Sequence, residues 1–70
     1  MRMSIRNQLT GTVLSVTKGA AMAVVRVQLA GSDAVLTSSI TLDGAADLGI
    51  EAGKAVTLLI KSTDVALGVE

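Results

Sequence analysis

The stretch "AVVRVQLA", residues 23–30, constrains the fold more than any other. In an extended chain successive side chains point to opposite faces, so Val25, Val27 and Leu29 lie on one side and Val24, Arg26 and Gln28 on the other. That alternation predicts a strand with one face turned toward a core. "TGTVLSVT" (10–17) is rich in β-branched residues and predicts a strand before it. "KGAAMA" (18–23) is a small-residue turn between the two. "GSD" (31–33) is a turn by composition. "AVLTSSITL" (34–42) predicts a third strand, with Leu36, Ser38 and Ile40 on one face and Val35, Thr37, Ser39 and Thr41 on the other.

The pattern changes at "DGAADLG" (43–49). Asp43 can cap a short helix carrying Ala45, Ala46 and Leu48, and Gly49 can end it. Gly53 turns the chain into "AVTLLIK" (55–61), a fourth strand, and "VALGVE" (65–70) predicts a fifth. Gly11 and Gly68 lie in strand-like stretches and mark bends or close backbone approach. Five short strands with one helical turn between the third and fourth predict an all-β fold: a small closed barrel of the oligonucleotide/oligosaccharide-binding (OB) type.

Seventy residues make one domain, 1–70. Half of them are apolar, yet none is aromatic and none is cysteine. The core must come from Val, Leu, Ile, Ala and Met, which bury less area per side chain than aromatic residues. No disulfide can staple the fold, and no thiolate can hold a metal. A scaffold so small needs another stabiliser, and self-association is the one left. A homo-oligomer is therefore expected on physical grounds alone. Six basic and six acidic residues give a formal net charge of zero, which argues against a polyanion binder with a broad basic face. The N-terminus lacks the long apolar core of a secretory leader. No apolar run approaches the roughly 20 residues that cross a membrane. A cytoplasmic protein is expected.

Polar side chains gather at three places. Ser4 and Arg6, two apart in "MSIRNQ", project to the same side of an extended segment and form a pair of hydrogen-bond donors; Asn7 can brace the same turn. Taken alone, this is an ordinary polar arm. Lys61, Ser62 and Thr63 in "KSTDV" add a charge and two hydroxyls where "VTLLI" stops; taken alone, they are a solvated strand end with a local turn at Asp64. First and last strands of a small barrel can neighbour each other, within one chain or across a subunit boundary. The turn "KGAAMA" is a third place. Gly19, Ala20 and Ala21 have almost no side chain, so their amides can form an anion-binding nest, or simply an ordinary hairpin. Thr41 adds a hydroxyl at the end of the third strand.

"MSIRNQLTGTVLSVTKGAAMAVV", followed by "SSIT", "LGIEAGKAV" and "IKSTDVALGVE", closely resembles the molbindins, or Mop family, of small cytoplasmic molybdate- and tungstate-binding proteins. The resemblance covers essentially the whole chain. It implies an OB-like barrel assembled as a homo-hexamer, a trimer of dimers, that binds oxyanions between subunits and serves storage and homeostasis of the metal. Ser4 and Arg6 match the family's N-terminal donors, Thr41 a threonine after the third strand, and Lys61 and Ser62 the C-terminal donors of a site at dimer boundaries, to which Asn7 is also assigned. Gly19, Ala20 and Ala21 match the loop of a second class of site near the threefold axis. Many relatives carry asparagine where this chain has Met22, so backbone contacts alone are expected there.

The chemistry agrees with that resemblance. Molybdate is a tetrahedral dianion whose four oxygens only accept hydrogen bonds, so its site should present only donors. Charge-assisted bonds are the strong ones, and one Lys with one Arg balances two negative charges. Asp64 must then point elsewhere. Tungstate has nearly the same size, so little discrimination is expected. No metal ion is expected to be ligated directly by the protein, and no cofactor is implied. Three rivals remain. An enzyme finds no His, no Cys and no promising carboxylate pair. A nucleic-acid-binding OB domain lacks aromatic stacking platforms and a basic groove. A self-assembling barrel without ligand is compatible with the composition, and added molybdate discriminates it.

Overall fold

The computed structural model describes residues 1–70. Strands β1 (Asn7–Lys18), β2 (Met22–Leu29) and β3 (Val35–Thr41) come first, then helix α1 (Leu42–Leu48), then strand β4 (Ala55–Ile60) and a 3₁₀ turn (Ser62–Asp64). The four strands form one antiparallel sheet in the order β3-β2-β1-β4. Four strands therefore stand close to where periodicity placed them, with ends moved by up to three residues. β1 begins earlier than expected, because Asn7 to Leu9 pair with Leu58 to Ile60.

The alternation in the second strand is realised. Ala23, Val25 and Val27 are buried, while Val24 and Arg26 on the opposite parity are exposed. Cross-strand partners share a face. Val13 opposite Val27, Val16 opposite Val25 and Ile40 opposite Ala23 build the inner layer. Leu36, Ser38 and Ile40 of β3 are half-buried on that side, as are Val56, Leu58 and Ile60 of β4. The register slips between Val13 and Ser15, which leaves Leu14 as an extra, exposed residue. Such a bulge bends a strand and increases its twist, and the sheet curls into half a barrel. Gly11 is a close approach: a Cβ there would sit 2.6 Å from the Gln28 carbonyl oxygen and 2.7 Å from Val27 Cγ1.

Helix α1 is capped by Thr41, not by Asp43 as the sequence reading expected. The Thr41 Oγ1 accepts from the Gly44 amide at 3.0 Å. The backbone explains the shift, because Thr41 is still extended (φ −68°, ψ 152°) while Asp43 already lies inside the helix. Gly49 ends the helix in the left-handed region at φ 63°, as expected.

The fifth strand is not formed within the chain. Residues 65–70 make no ladder and are all exposed, with Leu67 at 95% and Val69 at 98%. The two outer strands, β3 and β4, do not pair with each other, so the barrel expected to be closed is open along that side. Gly68 meets nothing within 4 Å. A groove of about 760 Å³, lined by Val25, Val27, Leu36, Ile40, Val56 and Leu58 among others, runs where the missing strand would lie.

That opening has a measurable cost. Only 6 of 70 residues are buried, and the accessible surface is 5313 Å². A compact monomer of 7.1 kDa exposes about 4,100 Å². The surplus of about 1,200 Å² is larger than the share one partner contributes to a standard protein interface. Exposed apolar side chains, Leu67 and Val69 foremost, contribute to it, which is the state that association relieves.

Candidate functional site

The polar residues sort onto two ends of the sheet. At the first, β1 starts where β4 stops. Asn7 pairs with Ile60, and the Asn7 Nδ2 donates to the Ile60 carbonyl at 3.1 Å. Asn7 therefore braces the junction between β1 and β4. The segments just outside this last pair carry Arg6 on one side and Lys61 on the other. Ser4 and Arg6 are exposed on one side and Lys61 and Ser62 on the other. The chain holds this corner with backbone bonds: the Asp64 amide donates to Lys61 O at 2.9 Å and the Val65 amide to Ser62 O at 3.4 Å. Asn7 apart, none of these polar side chains makes a hydrogen bond within the chain that the fold would lose to a ligand.

Thr41 is at the other end. It pairs with Met22, and the next residue, Leu42, donates its amide to Ala21 O at 3.0 Å. β1, 12 residues long, separates this end from the Asn7–Ile60 junction by about 35 Å of strand at full extension. One chain therefore does not bring Thr41 to Lys61, which the sequence reading grouped in a site at dimer boundaries. Thr41 instead joins the turn at residues 19–21. Its oxygen accepts from Gly44, yet its hydroxyl proton remains available to donate.

That turn is a three-residue link between β1 and β2. The Gly19 amide is taken, donating to Met22 O at 2.8 Å. The Ala20 and Ala21 amides have no acceptor within the chain. None of the three residues adopts a positive φ, so the alternating right- and left-handed form of a nest is absent and two free amides remain. Met22 is exposed. A residue the sequence reading passed over is Lys18, the exposed last residue of β1, which adds an ammonium at this end beside a groove shared with Asp43 and Glu51. The signal was a cation directly preceding a run of small residues.

The donor inventory is thus Ser4, Arg6, Lys61 and Ser62 at one end, and Thr41, Ala20, Ala21 and Lys18 at the other. No group of three His, Cys, Asp or Glu side chains converges to hold a metal cation. No helix is long and apolar enough to cross a membrane. The arrangement can do one thing chemically: present N–H and O–H groups and positive charge to an acceptor.

Comparison with known proteins points the same way. The model of the TOBE domain family matches residues 3–67. The chain is 49% identical over 67 residues to molybdenum-pterin-binding protein 3 of Clostridium pasteurianum, covering 96% of this chain and 97% of that one. Among solved structures it superposes on MopII from Clostridium pasteurianum, in an apo form, with a TM-score of 0.89 at 40% identity, covering 97% of this chain and 100% of that one. It also superposes on the cytoplasmic molybdate-binding protein ModG, with molybdate bound, with a TM-score of 0.93 at 40% identity. All of this chain and 49% of the ModG chain are covered, so the chain spans about half of ModG.

Proposed function

Because the chain belongs to the TOBE-domain family, among its small molybdenum-pterin-binding (Mop) proteins, we propose that it binds molybdate, and tungstate equally, as a cytoplasmic reserve of the oxyanion. The observation that carries this reading is the register at the first end of the sheet. It ends the β1–β4 ladder at Asn7 and Ile60, so the segments carrying Ser4 and Arg6 and carrying Lys61 and Ser62 leave the sheet at one corner, all four exposed and none hydrogen-bonded through its side chain within the chain. Molybdate supplies two negative charges and acceptor oxygens without a donor. The ligand is the cargo, bound as a whole anion through its oxygens.

The site is completed between copies. Thr41 is too far along the sheet to reach Lys61 of its own chain, so it serves this site only from a neighbouring subunit. The apolar surplus left on a single chain supplies the driving force for that assembly, a homo-hexamer built as a trimer of dimers. The amides of Ala20 and Ala21, with Lys18 beside them, form the weaker second site. The pterin of the relatives' names is a different ligand class, and the aromatic-free surface of this chain offers it no stacking partner.

A thermal melt with added molybdate tests the reading. A ligand that binds the folded state stabilises it by about 2.7 kcal/mol at a hundredfold excess over its dissociation constant. The expected result is a saturable rise in Tm with molybdate and tungstate, and a much smaller one with sulfate, whose smaller radius would under-fill a cage fitted to molybdate. An unchanged Tm across millimolar molybdate would identify the chain as a purely structural assembly.

A further inference from the structure

We propose that the Asp43–Gly44 peptide is a site of spontaneous isomerisation, that the Thr41 hydroxyl holds it closed, and that an anion on Thr41 slows it further. Among Asp33, Asp43, Asp47 and Asp64, only Asp43 is followed by glycine. An aspartyl–glycyl pair rearranges without enzyme or oxidant. The glycine nitrogen attacks the aspartyl side-chain carbon, so that an N–Cγ bond forms and a carboxyl oxygen leaves as water. Water then adds to the former backbone carbonyl of the resulting succinimide and breaks its bond to nitrogen. The backbone afterwards runs through the side chain as isoaspartate, with no net change in atoms or electrons. Glycine favours the step because no side chain shields its nitrogen.

The fold supplies both the reactants and the restraint. Asp43 is exposed, and its carboxylate accepts no hydrogen bond within the chain. The nucleophile is not free, because the Gly44 amide donates to Thr41 Oγ1 at 3.0 Å. The nitrogen must give up its proton to react, and that proton is the one Thr41 holds. Ring closure also requires Asp43 to leave the helical backbone of Leu42–Leu48. The glycine itself belongs to the cap: a Cβ on Gly44 would stand 3.1 Å from Thr41 Oγ1, so a side chain there presses on the hydroxyl. The close fit that admits the cap therefore leaves the peptide chemically open. Helix α1 is seven residues long and buries only Ala45, so its first turn opens more readily than the sheet beside it.

The product cannot restore the cap. Isoaspartate inserts one more carbon into the backbone between Thr41 and Gly44, which removes the spacing that lets the hydroxyl meet the amide. Thr41 then loses the bond that fixes its side chain. The coupling to the anion rests on the function proposed above, in which the Thr41 hydroxyl proton goes to the ligand. With ligand present the hydroxyl accepts from Gly44 and donates to the anion at once, and the two bonds hold one rotamer. An empty protein ages at this peptide, and a loaded one is spared.

The test follows isoaspartate in the intact protein during incubation at neutral pH, by enzymatic methylation of isoaspartyl carboxyls and by peptide mapping. Isoaspartate should accumulate at residue 43, at roughly a tenth or less of the rate in the same chain unfolded in urea. Thr41→Val should raise the native rate about fivefold, the loss of one cap, and Thr41→Ser should leave it unchanged. Molybdate at a hundredfold excess over its dissociation constant should slow the unsubstituted chain and Thr41→Ser about tenfold and leave Thr41→Val little changed. A folded Thr41→Val that isomerises no faster than the unsubstituted chain overturns the proposal, as does a chain that forms no isoaspartate at residue 43 even in urea. If Thr41→Val fails to fold, native-state hydrogen exchange decides. Isomerisation of the unsubstituted chain should rise in step with exchange of the Gly44 amide through mild urea, and a rate indifferent to that exchange rejects the hold by Thr41. A molybdate-dependent rise in Tm beside unslowed isomerisation overturns the coupling and leaves the ligand reading standing. No rise in Tm rejects the ligand reading and the coupling together, and the Thr41 variants without anion still decide whether the cap guards the peptide.

Discussion

Around β2 the chain satisfies itself. Ala23, Val25 and Val27 are buried between two neighbouring strands, and Gly11 lets the β1 backbone close against them. At the corner where Asn7 meets Ile60 the opposite holds. Ser4, Arg6, Lys61 and Ser62 are exposed, and the tail beyond them leaves Leu67 and Val69 almost wholly in water. The centre of the sheet is finished by one chain, whereas the terminal corner is left exposed by it. The difference teaches where each property is encoded. The centre of the sheet is built by the single polypeptide, and the binding proposed here belongs to the proposed assembly. The donors are affordable at the corner because the fold does not use them.

Three sets of substitutions can break or sharpen that contrast. The largest effect is expected at the centre. Gly11→Val places carbon atoms where the Gln28 carbonyl and Val27 already lie. Overpacking against backbone costs about 3 kcal/mol, and denaturant unfolding at fixed protein concentration should show the loss with or without molybdate. An intact unfolding midpoint would mean that the centre is as loosely built as the corner.

A middling effect is expected at Thr41, which serves both regions. Thr41→Val removes the cap bond to Gly44 and should cost about 1 kcal/mol, together with part of the molybdate response. Thr41→Ser keeps the hydroxyl and should restore both. Restoration of stability without restoration of the molybdate response would separate the cap from the anion site.

The smallest effect on folding is expected at the corner. Lys61→Ala and Arg6→Ala should each change unfolding free energy by less than about 0.5 kcal/mol without anion, and calorimetric titration should show molybdate affinity falling at least tenfold in each. Unchanged affinity and stoichiometry would remove these residues from the site. A large loss of stability without anion would show that the corner is structural after all.

Much of the centre was legible in the sequence because burial on one face writes a period of two into it. Val25 and Val27 read as core and are core, and Arg26 reads as outward and is outward. Gly49 was legible as a helix stop for an equally local reason, its positive φ. The corner was legible only as a list of donors. Ser4, Arg6, Lys61 and Ser62 could be named, since acceptor-only anions demand such residue types, but which of them share a chain could not. Thr41 shows why. It was grouped with Lys61 in a site at dimer boundaries, and the ladder from Met22 to Thr41 carries it to the far end of its own chain's sheet. The tail was misplaced for a related reason. "VALGVE" has the periodicity of a strand, and periodicity says that a partner is needed without saying whose. The cap was missed because Asp43 and Thr41 are both good N-caps, and the backbone turn, two residues earlier than composition suggested, decided between them.

Native mass spectrometry of the protein with and without molybdate tests the central claim most directly, because it counts subunits and bound anions in the same particle. The account predicts a hexamer that gains molybdate, while any free monomer in the same spectrum carries none. Monomers holding the anion in stoichiometric amounts, or a hexamer that stays empty at saturating molybdate, would contradict it.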